Sequence, residues 1–245
     1  MAMFARDLSV AHYRSFDSYR LVLDDGVTVL AGPNAAGKTN LIEALQLLTS
    51  GASFRHPTAA ELVHDGVGSC RVQLRLEGDG RVLDMGLSVE DGKRSFSRNG
   101  KKCSAAGVRG VLPSVLFCPD HLDMVKRGAS VRRTALDDFG VQLSARYADL
   151  ASAYGRCVTQ RNALLKESWC CREMLGAWNE SIARAGSALL VHRLALLDRL
   201  ANHVRDAYGQ VASGETAHVS YTSTLGDLPQ TDDREELKGW AYERM

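Results

Sequence analysis

Apolar and polar positions alternate with a period of two in the opening and middle of the chain, and repeat with the period of a helix over much of the remainder. Residues 4–10 and 19–23 read as strands, and a turn at Asp24, Asp25 and Gly26 leads into an apolar run at 27–31 that reads as a buried strand. A loop of small residues follows. From Lys38 onward Leu41, Ile42, Leu45 and Leu48 recur at helical spacing, and Gly51 supplies a stop. Short β-like runs return at 71–76, 82–89 and 94–98, with Asn99-Gly100 as a hairpin turn, and predict a small antiparallel sheet beside the loop. An apolar run at 115–117 ends at Cys118-Pro119-Asp120, after which strand signals cease. Between 130 and 211 helix formers dominate, Leu189, Leu190, Leu194, Leu197, Leu200 and Val204 keep amphipathic spacing, and proline is absent. A last strand-like run at 218–221 precedes a polar, helical stretch that ends at Met245.

The order strand, loop, helix matters because of the residues in the loop. Gly32, Pro33, Asn34, Ala35, Ala36, Gly37, Lys38 and Thr39 match G-x-x-x-x-G-K-[ST] in full. Glycines admit backbone conformations closed to other residues, so successive N–H groups can turn inward around a phosphate, and the helix N-terminus adds its partial positive charge. Lys38 is expected to reach the β and γ phosphates, and the Thr39 hydroxyl to ligate magnesium, a hard cation that prefers oxygen. These eight residues predict binding of ATP with Mg2+.

Composition narrows the class without naming a partner. The chain is 45% hydrophobic and 24% charged, typical of a soluble globular protein, and thirty basic against twenty-nine acidic residues leave a formal charge of +1. Any surface for nucleic acid must therefore be local. Cys70, Cys103, Cys118, Cys157, Cys170 and Cys171 form no Cys-x-x-Cys pair and read as reduced thiols. The first residues lack the pattern of a leader, no stretch approaches the length that spans a bilayer, and the expectation is a cytoplasmic protein without a membrane partner.

A complete triphosphatase also needs an acidic residue at the end of a second buried strand. Asp120 follows an apolar run, but Pro119 interposes and the position reads as a turn or helix cap. Asp198 follows Leu196 and Leu197, yet its neighbours keep a helical period and it reads as helix surface.

With these residues in hand, the chain resembles the RecF family, recombination mediators related to the SMC and Rad50 ATPases. The resemblance rests on His12-Tyr13-Arg14-Ser15-Phe16 and on the loop continuing through Asn40-Leu41-Ile42-Glu43-Ala44. Further marks are Gly51-Ala52-Ser53-Phe54-Arg55, the segments at 115–122, 130–133 and 160–166, and together they cover nearly the whole chain. The resemblance implies an α/β fold, a P-loop ABC-ATPase-type head with an antiparallel β subdomain and an inserted helical lid or arm. It implies three parts: the N-terminal half of the head over 1–125, the arm over 126–212, and the start of the return to the head over 213–245.

In that scheme the phosphate loop binds ATP, Arg14 lies near the nucleotide, and the full-length protein forms an ATP-dependent homodimer that clamps duplex or gapped DNA. Its role is in recombinational repair and replication, assisting recombinase loading with other recombination mediator proteins. The family pattern continues with a signature motif, an acidic magnesium strand and a switch histidine, all beyond Met245, so the chain reads as an N-terminal portion with partial nucleotide binding and little hydrolysis of its own. Whether it acts as an enzyme stays open. Arg127, Arg132, Arg133, Arg146, Arg156, Arg161 and Lys166 are candidate contacts to DNA phosphates. Two other classes share the loop: a small-molecule kinase with a helical lid, and a transporter-type ATP-binding subunit.

Overall fold

Strand β1 (Phe4–Tyr13) buries Leu8 and Val10 on one face and turns Ser9 and Ala11 to the other, and the first unit is built on that one-sided pattern. β2 (Phe16–Val22) and β3 (Ser69–Gly78) flank β1, both antiparallel. β4 (Arg81–Glu90), β5 (Lys93–Arg98) and β6 (Lys101–Cys103) continue as a meander, giving one six-stranded sheet in the order β2-β1-β3-β4-β5-β6. Asn99 and Gly100 carry positive φ of 49° and 73°, which a two-residue type I′ turn between β5 and β6 requires. Tyr19, Val10, Val72, Leu87, Phe96 and Cys103 stand in one register row across all six strands.

Helix α1 (Lys38–Ser50) covers that face, and its Leu41, Ala44, Leu47 and Leu48 share a core with Leu8, Val10, Val72, Leu74, Met85 and Leu87. Gly51, at φ 72°, ends the helix by returning its N–H to the Leu47 carbonyl, and the Arg109 Nε donates to the Ser50 carbonyl at 3.0 Å. A short helix α2 (Ala105–Val108), capped by the Ser104 hydroxyl, buries Val108 in the same core.

The computed structural model describes residues 3–167, 172–212 and 214–245, and divides the chain into two units, Met1–Phe117 and Cys118–Met245. The second is helical: α3 (Asp123–Lys126), α4 (Ala129–Leu143), α5 (Ala145–Leu164), α6 (Arg172–Val211) and α7 (Arg234–Arg244). Its core is small, centred on Tyr147, Leu189 and Leu196 with Leu136, Phe139 and Leu150 around them. Asp137 ties three helices together: it accepts from the Tyr147 hydroxyl at 2.6 Å and from Arg193 Nε and Nη2 at 2.9 and 2.6 Å. Gly140 lets α4 approach, because a Cβ there would lie 2.4 Å from the Tyr147 ring. None of the described helices is long and apolar enough to cross a membrane.

Three of the strands expected from the sequence are not formed. Residues 27–31 pair with no strand, and Val27 and Val29 are 93% and 79% exposed, because a buried strand needs a ladder partner and none of the described strands supplies one. The same holds for 115–117, where Val115 and Phe117 are exposed, and for 218–221, which is irregular. The middle strands form the expected antiparallel sheet, and β3 also pairs with β1 along most of its length, so that the opening hairpin joins it in one sheet.

One charged side chain lies inside the first core. Glu43 sits on the buried stripe of α1 and is fully enclosed. Arg14, in the turn between β1 and β2, meets it with two hydrogen bonds, Nε to Oε2 at 3.0 Å and Nη2 to Oε1 at 2.8 Å. The Ser53 hydroxyl donates to Oε1 at 2.6 Å, the Tyr13 hydroxyl to Oε2 at 3.3 Å, and Arg55 Nη1 stands 3.5 Å from Oε2. Burial alone raises a carboxyl pKa, but the bonds from Arg14 and Ser53 outweigh it and hold Glu43 below its usual value. Burial, followed by the Glu43 charge, pushes the Tyr13 phenol up, so it stays a donor.

Glu43→Ala leaves Arg14 without its partner and is expected to cost about 3–5 kcal/mol in denaturant unfolding. The pH dependence has a definite sign. Since the folded-state pKa of Glu43 is lowered, its contribution is complete above the ordinary glutamate value, about 4.3, and is lost as pH falls through the folded value. The gap in Tm between the unaltered chain and Glu43→Gln is therefore largest near neutral pH and closes in acid; a gap that stays constant down to about pH 3 contradicts this account.

Candidate functional site

The phosphate loop leads directly into α1, and its backbone takes the shape that its residue types permit. Ala35 and Gly37 adopt positive φ of 66° and 87°, and the Ala36 N–H turns back to the Pro33 carbonyl at 3.3 Å. Positions 32–36 are exposed, while Gly37 is buried against Phe16 and Ser15. A Cβ at Gly37 would lie 2.4 Å from the Phe16 ring and 2.8 Å from the Ser15 hydroxyl, so glycine is required there for both space and conformation. Gly37 is also the N-cap of α1 and brings no side-chain acceptor, which leaves the first amides of the helix for an external acceptor.

Lys38 turns back over this loop. Its ammonium donates to the carbonyls of Gly32 and Pro33 at 2.8 and 2.7 Å, which sets one positive charge above the ring of backbone groups. Thr39 follows in the first turn of the helix. The structure thus brings Gly32, Pro33, Asn34, Ala35, Ala36, Gly37, Lys38 and Thr39 into one turn at a helix N-terminus.

Arg14 is positioned differently. Its guanidinium is bound to Glu43, on the face of α1 that meets the sheet, and its backbone N–H and carbonyl are held by the Leu62 carbonyl and His64 Nδ1 at 3.0 and 2.7 Å. A chain of contacts links that pair to the helix start. Arg55 donates to the Asn40 side-chain oxygen at 2.8 Å, and Asn40 Nδ2 donates to the Ser15 hydroxyl at 3.0 Å. Arg14 therefore braces the helix that carries the loop.

Sequence reasoning missed Glu43, Ser53, Asn40 and Arg55 as a group. The signal for Glu43 is an acidic residue on the apolar stripe between Leu41 and Leu47, a position that a lone carboxylate cannot hold without a cation. The acidic candidates remain apart from the loop's chemistry. Asp198 is exposed on α6, as its helical period requires, and the backbone of Asp120 lies in a single 3-10 turn, Pro119–Leu122, its side chain being outside the described residues. Cys70, Cys103, Cys118 and Cys157 are free thiols, and Cys170 and Cys171 fall outside the described residues.

A family model described as an AAA domain matches residues 7–107. A DNA replication and repair protein RecF from Arthrobacter sp. (strain FB24) is 34% identical over 98% of this chain and 62% of its own length. Another, from Acidothermus cellulolyticus, is 34% identical over 96% of this chain and 66% of its own. The chain thus spans just under two thirds of the length of these curated relatives. Among solved structures, the recombination mediator protein RecF-ATPrS in the RecFOR pathway superposes with a TM-score of 0.89 at 25% identity, covering 99% of this chain and 67% of that one. The corresponding RecF-ATP structure gives 0.88, again at 25% identity, over 99% and 66%. The fold is that of the RecF head, an ABC-ATPase-type α/β architecture with an antiparallel sheet and a helical arm. Sharing a third of its residues with these relatives along almost its whole length, and their fold as well, the chain belongs to the RecF family.

Proposed function

We propose that this chain is the nucleotide-binding portion of an ATP-dependent DNA clamp acting in recombinational repair and replication, in the cytoplasm. The observation that carries the reading is the loop at 32–39: a complete phosphate-binding sequence whose glycine turn, uncapped helix start and overhanging lysine fit a polyphosphate. Relatives described as DNA replication and repair proteins, and solved structures described as RecF with ATP, support the partner and the nucleotide.

The residues divide the work by their chemistry. The loop amides and the first amides of α1 hold phosphate oxygens, and the backbone admits them closely because Gly37 carries no side chain. Lys38 neutralises charge on the outer phosphates when it exchanges the carbonyls of Gly32 and Pro33 for them. Thr39 offers a hydroxyl oxygen to Mg2+, which when bound shields the negative charge of the phosphates. Arg14, expected near the nucleotide, acts in this reading through Glu43 by fixing α1 beneath the loop.

The three-part division over 1–125, 126–212 and 213–245, the ATP-dependent homodimer, and cooperation with other recombination mediators belong to this proposal as properties of a protein of family length. Efficient hydrolysis is likewise assigned to that longer protein, because neither Asp120 nor Asp198 stands at the end of a buried strand, where an acid would order water and metal.

Titration with Mg-ATP tests the loop. Lys38→Ala removes a charge-assisted contact worth about 1.5–3 kcal/mol and is expected to weaken ATP binding about 10- to 150-fold with little change in Tm; equal binding by the two proteins refutes the assignment. Gly37→Ala meets the Phe16 ring and a left-handed backbone together, and is expected to lose nucleotide binding with about 2–4 kcal/mol of stability. Adding Phe16→Leu to Gly37→Ala relieves the contact alone, so thermal melts should show partial rescue of Tm without recovery of nucleotide affinity.

A further inference from the structure

The ten residues 93–102 carry Lys93, Arg94, Arg98, Lys101 and Lys102 and no carboxylate. The fold makes this run the β5–β6 hairpin, at one edge of the six-stranded sheet, with Lys93 and Lys102 on the outer face and Arg94, Arg98 and Lys101 in register with the face that meets α1. Arg94 donates to the Pro57 carbonyl, and none of the five forms an ion pair with a carboxylate among the described residues. The helical unit is different in charge. Residues 118–245 hold sixteen basic and seventeen acidic residues, and several of the arginines there are already engaged. Arg127 pairs with Asp123 at 2.7 Å, Arg132 donates to the carbonyls of Met124 and Arg127, and Arg161 donates to Asn179 at 2.6 Å.

The outer face of the sheet continues from the hairpin. Gly86 stands opposite Ser97, and Ser88 opposite Ser95, so four adjacent positions on β4 and β5 carry only a hydrogen or a hydroxymethyl group. They floor a shallow trough of about 410 Å³, walled by Arg71 and Gln73 of β3 on one side and Lys102 of β6 on the other. The floor is closely packed across the two strands, since a Cβ at Gly86 would come within 2.5 Å of the Ser97 Oγ on the same face. No carboxylate lines the trough. On the same face Asp84 is bound by Arg75 at 3.0 Å, and Glu90 faces Lys93 in register. Arg71 and Lys102 are separated by three strand spacings, about 14 Å.

Lysine on an edge strand is a common device against sheet-to-sheet pairing, and it accounts for Lys101 and Lys102. It does not account for Arg71 and Gln73, three strands inside that edge, or for a floor of hydroxyl groups between two cations. Cations at the walls and small donors at the floor suit a chain of phosphates, which an apolar or acidic trough would repel.

We propose that the outer face of β3–β6, rimmed by the β5–β6 hairpin, docks the sugar–phosphate backbone of duplex DNA. This rests on the DNA-clamp reading above and moves the contact from the arginines of the helices to the sheet. Binding here is insensitive to base sequence and falls steeply with salt.

The test is fluorescence anisotropy of a labelled duplex with the full 245-residue chain and Mg-ATP, between about 50 and 200 mM salt. Lys93→Gln/Lys102→Gln, the two hairpin cations on the outer face, and the single Arg71→Gln are compared with Arg127→Gln/Arg132→Gln/Arg133→Gln in the helical unit. The hairpin variant is expected to bind about tenfold or more weakly and to lower the slope of log K against log salt by about 0.9 for each phosphate it no longer neutralises, with ATP affinity and Tm unchanged. Arg71→Gln should lower the slope by about one, and the helical variant should leave it unaltered. Unchanged affinity and slope in the hairpin variant overturn this surface while leaving the clamp reading intact. Self-association of that variant by light scattering, with DNA binding preserved, overturns it too by assigning the lysines to edge protection. An unaltered chain that binds polyglutamate but no duplex overturns the inference and the clamp reading together.

Discussion

A carboxylate enclosed in an apolar core is the constraint around which the first unit is arranged. Glu43 cannot stand there alone, because an unpaired buried charge costs more than such a core returns. Satisfying it draws in the turn between β1 and β2 through Tyr13 and Arg14, and the turn after α1 through Ser53 and Arg55. The carboxylate therefore sets the rotation of α1 on the sheet, and with it the direction in which the helix start and the glycine turn face. Asp137 plays a comparable part in the helical unit, where apolar contacts are fewer and one acid holds a tyrosine and an arginine from two other helices.

How much of this could be read from the chain depends on how local each cause is. The start of α1 at Lys38 and its end at Gly51 are encoded within a few residues, as is the turn at Asn99-Gly100, and the structure has all three. The phosphate loop is equally local. Pairing of β1 with β3 joins segments some sixty residues apart, as Leu8 with Leu74 illustrates, and no periodicity states which strand lies beside which. The runs at 27–31 and 115–117 have the composition of buried strands, but burial needs a partner and composition cannot supply one. For Arg14 the residue type calls for an anionic neighbour, and the identity of that neighbour as Glu43 emerges only once both are placed.

Two kinds of positive charge coexist in the first unit and differ in what holds them. Arg14 is partly buried and committed to an internal acid, and its role in the fold is architectural. Lys38 is held only by carbonyls, and Arg98, Lys101 and Lys102 form no ion pair with a carboxylate among the described residues, so these stay available to an anion from outside. Net charge near zero for the whole chain conceals this division. In the proposed function a nucleotide and a nucleic acid take separate surfaces of one sheet and helix layer, the loop at the start of α1 and the face of the sheet turned away from that helix.

The run at 27–31 has a further consequence for the loop that follows it. The loop is anchored at its far end, where Gly37 packs on Phe16 and α1 begins, while the approach from 27 to 33 is held by no ladder hydrogen bonds. A ligand that orders this approach must meet a conformational entropy of about 1–2 kcal/mol for each residue it immobilises. The cradle is thus tied into regular secondary structure on its α1 side only, and a contact that immobilised two or three residues of the approach in advance would tighten binding by one to several powers of ten without adding a contact to the ligand. Any strand that came to lie beside residues 27–31 would act in this way, as an amplifier of nucleotide affinity located entirely outside the nucleotide site.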